Sequence, residues 1–393
     1  MPAPPSPASL RVAIVHDWLD TWRGGENALA EVIAIYPQAD LFALVDFLPD
    51  EQRSRILGKR ARTTFLQRMP AAARHFRALL PLFPRAVESL DVSGYELVIS
   101  ISHAVAKGVK THDRQLHVCY CLTPMRYAWD LRETYLASVR AQRGARRLMA
   151  NAVLDRLQRW DYDATPRVDQ FIAISEFIRT RIRHCYAVEA MVIHPPVDVD
   201  FFVPGATAPS RVAYCTASRW VAYKRLDLIV EAFRELPGHR LVVAGEGPEL
   251  RRARQRAGPN VEFLGEVSRE RLRDLLRESR AFIFAAEEDF GIAPVEAQAC
   301  GTPVIAFGRG GATETIRGAD AAQPTGAFFA EQSASAIRAA IQHFERRGVT
   351  TTAEACRANA ERFAPELFRE RLAGHIGIAL AEFRASQTTP SLC

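Results

Sequence analysis

The chain has 393 residues, of which 48% are hydrophobic and 24% charged, and its formal net charge at pH 7 is +6. These proportions are typical of a globular protein, and the length predicts two domains, each with a full core. No apolar run approaches the roughly 20 residues that span a bilayer. The seven cysteines are scattered singly except for Cys119 and Cys121, which excludes a disulfide framework and fits a reducing cytoplasm.

Residues 1–10, MPAPPSPASL, have neither the basic region nor the apolar core of a signal peptide, and we predict a disordered tail. Residues 1–195 carry 26 basic and 20 acidic side chains, whereas residues 196–393 carry 25 of each. The excess is concentrated in 53–85 and 140–159, where Arg alternates with apolar residues. Such segments suit an anionic membrane surface. A nucleic acid is the competing partner, but no recognised nucleic-acid-binding motif accompanies the charge. A solvated surface without a partner is the third alternative.

The first domain is predicted over 11–197. It opens with an apolar strand at 11–17, a loop containing Gly24 and Gly25, and a helix at 27–36, which together form the first unit of a Rossmann-like domain. The dinucleotide fingerprint is incomplete, so a dehydrogenase is not expected. Residues 48–90 are predicted to be helical, basic and amphipathic. Further strands are predicted at 39–46, 95–102, 116–121, 167–175 and 191–197.

Two polar turns follow the central strands of this domain. The first contains His103, and the second contains Arg126 and, shortly after it, Asp130. Ligands of open α/β sheets lie beyond the carboxyl ends of the strands, so these side chains are site candidates. A lone histidine is more often structural, and for His103 that alternative stays open.

The second domain is predicted over 198–364, with strands at 211–217, 239–245 and 261–265 and helices at 225–236 and 269–279. Arg219 and Lys224 lie in the loop between its first strand and first helix. Two cations near a helix amino terminus oppose the helix dipole unless an anion lies between them, and a diphosphate would supply that anion. The alternative is a pair of ordinary surface cations.

The segment 281–316 carries the strongest pattern. A buried strand at 281–286 leads into an acidic loop with Glu288, then a helix with Pro294 as its first residue and Glu296 in its first turn, and a second strand at 302–307 before the glycines 308–311. Backbone N–H groups at Gly291 and Ile292 suit a diphosphate. The alternative is a solvated acidic loop.

This segment resembles the donor-site signature of retaining glycosyltransferases of family four, which have the GT-B fold. The matching residues are Glu288, Phe290-Gly291, Glu296-Ala297 and Gly301-Thr302-Pro303-Val304. The resemblance implies two Rossmann-like α/β domains facing a central cleft, with the closing segment 365–393 crossing back to the first domain. It implies that Glu288 contacts the transferred sugar and Glu296 the ribose, while Arg219 and Lys224 bind the diphosphate. Gly24-Gly25 would lie near the diphosphate and Gly245 near the base.

The stretches 102–108 and 117–130 resemble a branch of this family that includes bacterial mannosyltransferases of O-antigen and exopolysaccharide assembly. Many relatives place a histidine where this chain has Leu122, so His103 is the substitute candidate, with Arg126 and Asp130 behind it. The branch implies transfer of mannose from GDP-mannose onto a lipid-diphosphate-linked saccharide, at the inner face of the plasma membrane, in lipopolysaccharide or exopolysaccharide synthesis. No metal or other cofactor is expected, because cations neutralise the leaving group.

Three alternatives remain. One is a UDP-sugar-dependent transferase of the same fold, and another is a UDP-sugar epimerase or phosphorylase on the same two-domain plan. The third is a catalytically silent subunit that binds a nucleotide sugar and supports a partner enzyme, an alternative that Leu122 keeps open.

Overall fold

The structure is a computed structural model, and it describes residues 10–138, 143–205, 212–346 and 351–388. The predicted tail, apart from Leu10, and residues 140–142 of the second basic stretch lie outside these ranges. The described chain forms two compact units. Residues 10–195 and 368–388 form the first unit, and residues 196–367, apart from the gaps, form the second.

A seven-stranded parallel sheet forms the centre of the first unit, with the strand order β3-β2-β1-β4-β5-β6-β7. The strands are β1 (Val12–His16), β2 (Asp40–Ala43), β3 (Arg62–Thr63), β4 (Leu97–Ser102), β5 (Leu116–Cys121), β6 (Gln170–Ala173) and β7 (Met191–Val192). Every residue of β1, β4 and β5 is buried, which is why these strands are continuous apolar runs instead of alternating ones.

Helices cover this sheet. They are α1 (Gly24–Ile35), α2 (Asp50–Arg53), α3 (Ala72–His75), α4 (Phe83–Val87), α5 (Arg132–Ser138), α6 (Gly144–Asp163) and α7 (Glu176–Tyr186). The prediction that residues 48–90 are helical is correct only in part. This region consists of the short helices α2 to α4, strand β3 and 3₁₀ turns. Pro70, Pro81 and Pro84 lack the N–H that a continuous helix requires, and the apolar residues between them, such as Phe76, fill the core individually.

A six-stranded parallel sheet forms the centre of the second unit, with the order β10-β9-β8-β11-β12-β13. Its strands are β8 (Ala213–Ala217), β9 (Arg240–Ala244), β10 (Val261–Gly265), β11 (Phe282–Phe284), β12 (Val304–Phe307) and β13 (Gly326–Phe329). Its helices are α8 (Leu226–Arg234), α9 (Leu250–Arg256), α10 (Arg269–Glu278), α11 (Ile292–Ala299), α12 (Ala312–Thr315), α13 (Ala334–Arg346) and α14 (Ala353–Ala360). Strand β13 and helices α9, α12 and α14 are not among the predicted elements.

The last helix, α15 (Pro365–Thr388), packs on the first unit from Phe368 onwards. Phe368 meets Tyr120 of β5 edge to face, with ring centroids 5.5 Å apart, and Arg369 forms an ion pair with Glu31 of α1. Although α15 has 24 residues, neither it nor any other helix of the described ranges is long and apolar enough to cross a membrane.

Both sheets reverse their strand order at one point. The reversal lies between β1 and β4 in the first unit and between β8 and β11 in the second. The predicted fold class, α/β with two doubly wound parallel sheets, is confirmed. Ligands of such sheets bind where the loops leave the carboxyl ends of the two strands that flank the reversal.

Candidate functional site

The reversal point of the second unit brings together three of the predicted donor-site residues. Arg219 and Lys224 follow β8, and Glu288 follows β11, the neighbouring strand. Lys224 Nζ forms an ion pair with Glu288 Oε1, and both side chains are mostly buried, with 15% and 19% exposed. Arg219 is exposed in the same loop. The carboxylate that was predicted to bind the sugar therefore neutralises one of the two cations of this loop.

The loop after β8, which contains Arg219, is held in place by the neighbouring loop after β9. Trp220 is buried, and its backbone N–H donates to the Glu246 carbonyl at 2.7 Å, while its indole N–H donates to the Ala244 carbonyl at 2.9 Å. Gly245 has a φ of +98°, and a Cβ on it would lie 1.9 Å from the Ser218 carbonyl oxygen. The predicted importance of Gly245 therefore has a direct cause, since only glycine permits this approach of the two backbones.

The glycine turn after β12 fixes the Glu288 loop. The Gly311 N–H donates to the Glu288 carbonyl at 2.8 Å, and a Cβ on Gly311 would lie 2.3 Å from Phe290 Cα. Phe290 is 3% exposed and packs edge to face on Phe363, with ring centroids 5.3 Å apart. Phe290 therefore anchors the loop, while the glycines supply the space for it.

We expect Gly311→Ala to weaken binding of a nucleotide sugar by at least about tenfold, because the added methyl group must displace the Phe290 backbone and move Glu288 with it. Isothermal titration with UDP- and GDP-sugars measures the effect. Gly238→Ala is the matched control in the same unit, since a Cβ at Gly238 meets nothing within 4 Å. Equal affinities of the two variants would contradict the assigned role of the turn.

Helix α11 presents an open amino terminus behind Glu288. Gly291 precedes the helix with a φ of +90° and has no side chain that could cap the first turn, so among the described residues the first N–H groups, including that of Ile292, are left for an anion. Pro294 was predicted to be the first residue of α11, but it is the third. The first turn tolerates it because no N–H is needed there.

Glu296 lies in the second turn of α11 and is half-buried. Burial raises the pKa of its carboxyl group to about 7, with Arg269 of α10 lowering this pKa and Asp198 raising it. Arg269 itself is paired with Asp198 at 2.7 Å. Within the described ranges Glu296 has no close cationic partner, which suits a carboxyl group that exchanges hydrogen bonds with hydroxyls.

Glu296→Gln is expected to change the pH dependence of stability. The folded protein keeps the Glu296 proton up to about pH 7, whereas the reference carboxyl releases it near 4.5, so the contribution of Glu296 to stability is complete below 4.5 and is lost as the pH rises through 7. The neutral variant does not lose it, so its melting temperature relative to wild type should rise between pH 5 and about pH 8. Glu287→Gln, in the preceding loop, is the control, and parallel profiles of wild type and Glu296→Gln would contradict the prediction.

The reversal point of the first unit is organised by Asp17, which directly follows β1 and is completely buried. Its two oxygens accept hydrogen bonds from four consecutive backbone N–H groups, those of residues 103–106, at 2.6–3.0 Å. Its carboxylate also pairs with His103 Nδ1 at 3.0 Å. Burial acts to raise the pKa of Asp17, but the charge and hydrogen bonds of His103 outweigh it and hold the pKa at about 2.

His103, the predicted substitute base, is held by this carboxylate. Burial acts to lower its pKa, but the adjacent Asp17 charge raises it above the ordinary value. Its side chain remains 30% exposed, and its ring meets Trp18 edge to face at 4.4 Å. The Asp17 carboxylate therefore fixes Nδ1 as the donor of this pair and stabilises the charged form of the imidazole.

The other predicted acceptor-side residues lie in the loop after β5. Asp130 forms an ion pair with Arg181 of α7, whose other nitrogen Nη1 donates to Thr123 Oγ1 at 2.9 Å. Arg126 is half-buried in the same loop. Asp130 therefore contributes to holding this loop against α7. Gly24 is the first residue of α1, and Gly25 follows it beneath Leu122.

Asp17 and His16 are the main residues that the sequence argument missed. They stand together at the end of the first predicted strand, and that position was the available signal. Gln332 was also missed. Its side chain donates to the Ala285 carbonyl at 2.9 Å and so supports the start of the Glu288 loop. No sequence pattern near Gln332 indicates that contact.

Comparison with known proteins places these sites in context. Residues 206–363, which include the whole Arg219–Glu296 site, match the model of the family described as glycosyl transferases group 1. The D-inositol 3-phosphate glycosyltransferase of Mycobacteroides abscessus is 28% identical over 267 residues, which cover 60% of this chain and 55% of that protein. The chain thus spans about half the length of the curated relatives it matches.

Solved structures match nearly the whole chain, and two of them serve as examples. HepE of Anabaena, in complex with UDP and glucose, is 16% identical with a TM-score of 0.69, covering 93% of this chain and 99% of that one. The sucrose-phosphate synthase of Thermosynechococcus elongatus is 20% identical with a TM-score of 0.69, covering 95% and 100%. The chain has the GT-B fold, as the donor-site residues predicted.

Proposed function

We propose that this protein is a retaining glycosyltransferase that transfers a hexose from a nucleotide sugar to a lipid-diphosphate-linked saccharide. The observation that carries the proposal is the convergence of Lys224, Arg219, Glu288 and the open first turn of α11 at one strand reversal. Two cations and a set of backbone N–H groups suit a diphosphate, and the adjacent carboxylate suits sugar hydroxyls. The family match over 206–363 supports it.

In this proposal the diphosphate takes the place of Glu288 as the partner of Lys224. The released carboxylate then accepts hydrogen bonds from the hexose, while Lys224 and Arg219 stabilise the charge that develops on the leaving phosphate. The protein contributes position and electrostatics, without a covalent nucleophile. A metal ion is not required for this role, so activity should survive EDTA.

Two donors are supported by different observations. The resemblance of 102–108 and 117–130 to O-antigen and exopolysaccharide mannosyltransferases favours GDP-mannose. The structural similarity to a protein solved with UDP and glucose favours a UDP-hexose. The residues that line the donor site fit the diphosphate and hexose of either donor. The choice between GDP-mannose and a UDP-hexose therefore depends on how the protein contacts the nucleotide base.

A panel of GDP-, UDP- and dTDP-sugars, incubated with and without lipid-diphosphate saccharides and with and without EDTA, tests the proposal. Donor turnover that requires the acceptor and survives EDTA, with retention at the anomeric carbon seen by NMR, is expected. Inversion would contradict the mechanism. Binding of one donor without turnover on any acceptor would favour the catalytically silent subunit.

The lipid-linked acceptor leads us to propose that the first unit binds an anionic membrane surface at the inner face of the plasma membrane. On α6, Leu148 and Met149 lie side by side with 74% and 67% of their surface exposed. Arg146 and Arg156 lie near them, are exposed, and have no ion pair within the described ranges. The other basic stretch is less available than predicted, since Arg53, for example, is buried and paired with Asp46 at 2.8 Å.

Leu148→Ser combined with Met149→Ser is expected to lower binding to vesicles containing phosphatidylglycerol by about tenfold or more, because two exposed apolar side chains lose their burial in lipid. Vesicle co-sedimentation at low and high salt measures this. Ile378→Ser, which alters an apolar side chain of α15 that is 61% exposed, is the control. Wild-type binding by the double variant would exclude this face of α6.

A further inference from the structure

His16 has an unusual polar atom. It is the last residue of β1 and only 1% exposed. Its Nδ1 lies 3.0 Å from the Trp18 carbonyl oxygen. Because a carbonyl only accepts, Nδ1 carries the hydrogen, and a neutral ring then leaves Nε2 as a bare acceptor. Nε2 is buried and has no hydrogen-bond partner among the described residues. Such atoms are rare, because leaving a buried polar group unsatisfied is costly.

Nε2 lies beside the glycine turn that begins α1. A Cβ on Gly25 would lie 3.7 Å from His16 Nε2 and 2.9 Å from Leu122 Cδ1. The Leu122 side chain therefore fills the space that a Gly25 side chain would take, and a ligand group reaches Nε2 by displacing it. Helix α1 has 12 residues, so its first N–H groups and its dipole also point to this place.

Two histidines of opposite character lie beside this space. The His16 and His103 ring centroids are 6.3 Å apart. His103 is paired with Asp17, whereas burial lowers the pKa of His16 despite the opposing effects of Glu26 and Asp17. Surroundings that shift the pKa values of two similar groups in opposite directions divide the roles of hydrogen-bond donor and acceptor between them. His103 therefore suits an anionic group, and His16 suits a hydroxyl.

We propose that His16 Nε2 accepts a hydrogen bond from a hydroxyl of the acceptor saccharide, which displaces the Leu122 side chain from the space above Gly25. In this arrangement His16 supplies the polar contact that Leu122 does not. The inference rests on the proposed transferase function and adds the residue that binds the acceptor hydroxyl. His103 stays the predicted substitute candidate, and His16 is proposed in addition to it.

Two substitutions separate the two ring nitrogens. His16→Asn keeps an N–H near the position of Nδ1, and so keeps the bond to the Trp18 carbonyl, but it removes the acceptor at Nε2. His16→Gln extends an amide oxygen to about the position of Nε2. We expect His16→Asn to lower kcat/KM for the acceptor by about 10- to 100-fold with the donor KM unchanged, and His16→Gln to recover part of it. Wild-type kcat/KM in His16→Asn, or an equal loss in both variants together with a lowered melting temperature, would overturn the inference.

Imidazole ¹⁵N NMR of the wild-type protein gives an answer that does not depend on transfer. At pH 7 His16 should show a protonated Nδ1 and a bare Nε2, and titration with methyl α-hexosides should move the Nε2 signal. A response of Nε2 without transfer to any acceptor would refute the proposed function while supporting the hydroxyl site. Transfer by the wild type without any response of Nε2 would refute the site alone.

Discussion

Replacing Lys224 with alanine is expected to slow sugar transfer by about 10²- to 10³-fold, the usual effect of removing one group that stabilises charge in a transition state. Lys224 is 15% exposed and reaches the site from the loop after β8, so no solvated cation can take its place with the same geometry. The loss should appear mainly in kcat, because the charge on the leaving phosphate grows as the bond to the sugar breaks. Steady-state kinetics with saturating donor measures it.

The ion pair with Glu288 provides the controls for this prediction. Lys224→Ala leaves the Glu288 carboxylate mostly buried without its partner, whereas Lys224→Ala combined with Glu288→Gln removes that charge as well. The double variant should therefore recover thermal stability but no activity. Arg219→Ala should cost less than Lys224→Ala, because Arg219 is exposed and its charge is screened by water. Wild-type kcat in Lys224→Ala would remove Lys224 from the mechanism.

The grouping of the predicted donor-site residues follows from the sequence because these residues lie in short loops directly after apolar strands. Buried parallel strands such as β11 and β12 are visible as continuous apolar runs, and the carboxyl end of each strand identifies a loop that faces the ligand. Glu288 and Lys224 were found in this way, each from its own strand. Their pairing across 64 positions was not, because pairing depends on the order of strands in the sheet, which local patterns do not encode.

The first unit shows the limit of the same method more clearly. Residues 48–90 have apolar residues at intervals that suit a helix, but in the structure many of them, such as Leu66, Phe76 and Phe83, fill separate parts of the core. The tertiary contacts of Phe76 and Phe83 with Trp18 therefore outweigh local helical preference. The role of Asp17 was equally hidden, since its hydrogen-bond donors are 86 to 89 positions away.

Asp17→Asn is expected to lower the free energy of unfolding by about 3–5 kcal/mol at pH 7, the usual cost of breaking a buried charge arrangement by changing one partner. Each carboxylate oxygen accepts two backbone N–H groups, and an asparagine can offer only one oxygen. Its NH₂ group would face two further donors, which leaves them unsatisfied. Urea unfolding followed by circular dichroism measures the loss, and a cost below about 1 kcal/mol would contradict the assigned role.

The pH dependence of this loss separates Asp17 from His103. The pKa of Asp17 is lowered from 3.8 to about 2, so its contribution is present above pH 3.8 and is lost as the pH falls through 2, where the two proteins should converge. The pKa of His103 is raised above 6.5, so its contribution is present below 6.5 and is lost as the pH rises through the raised value. The cost of His103→Ala should therefore shrink in alkali while that of Asp17→Asn persists. This difference follows because four backbone N–H groups still hold the carboxylate after the imidazole has lost its charge.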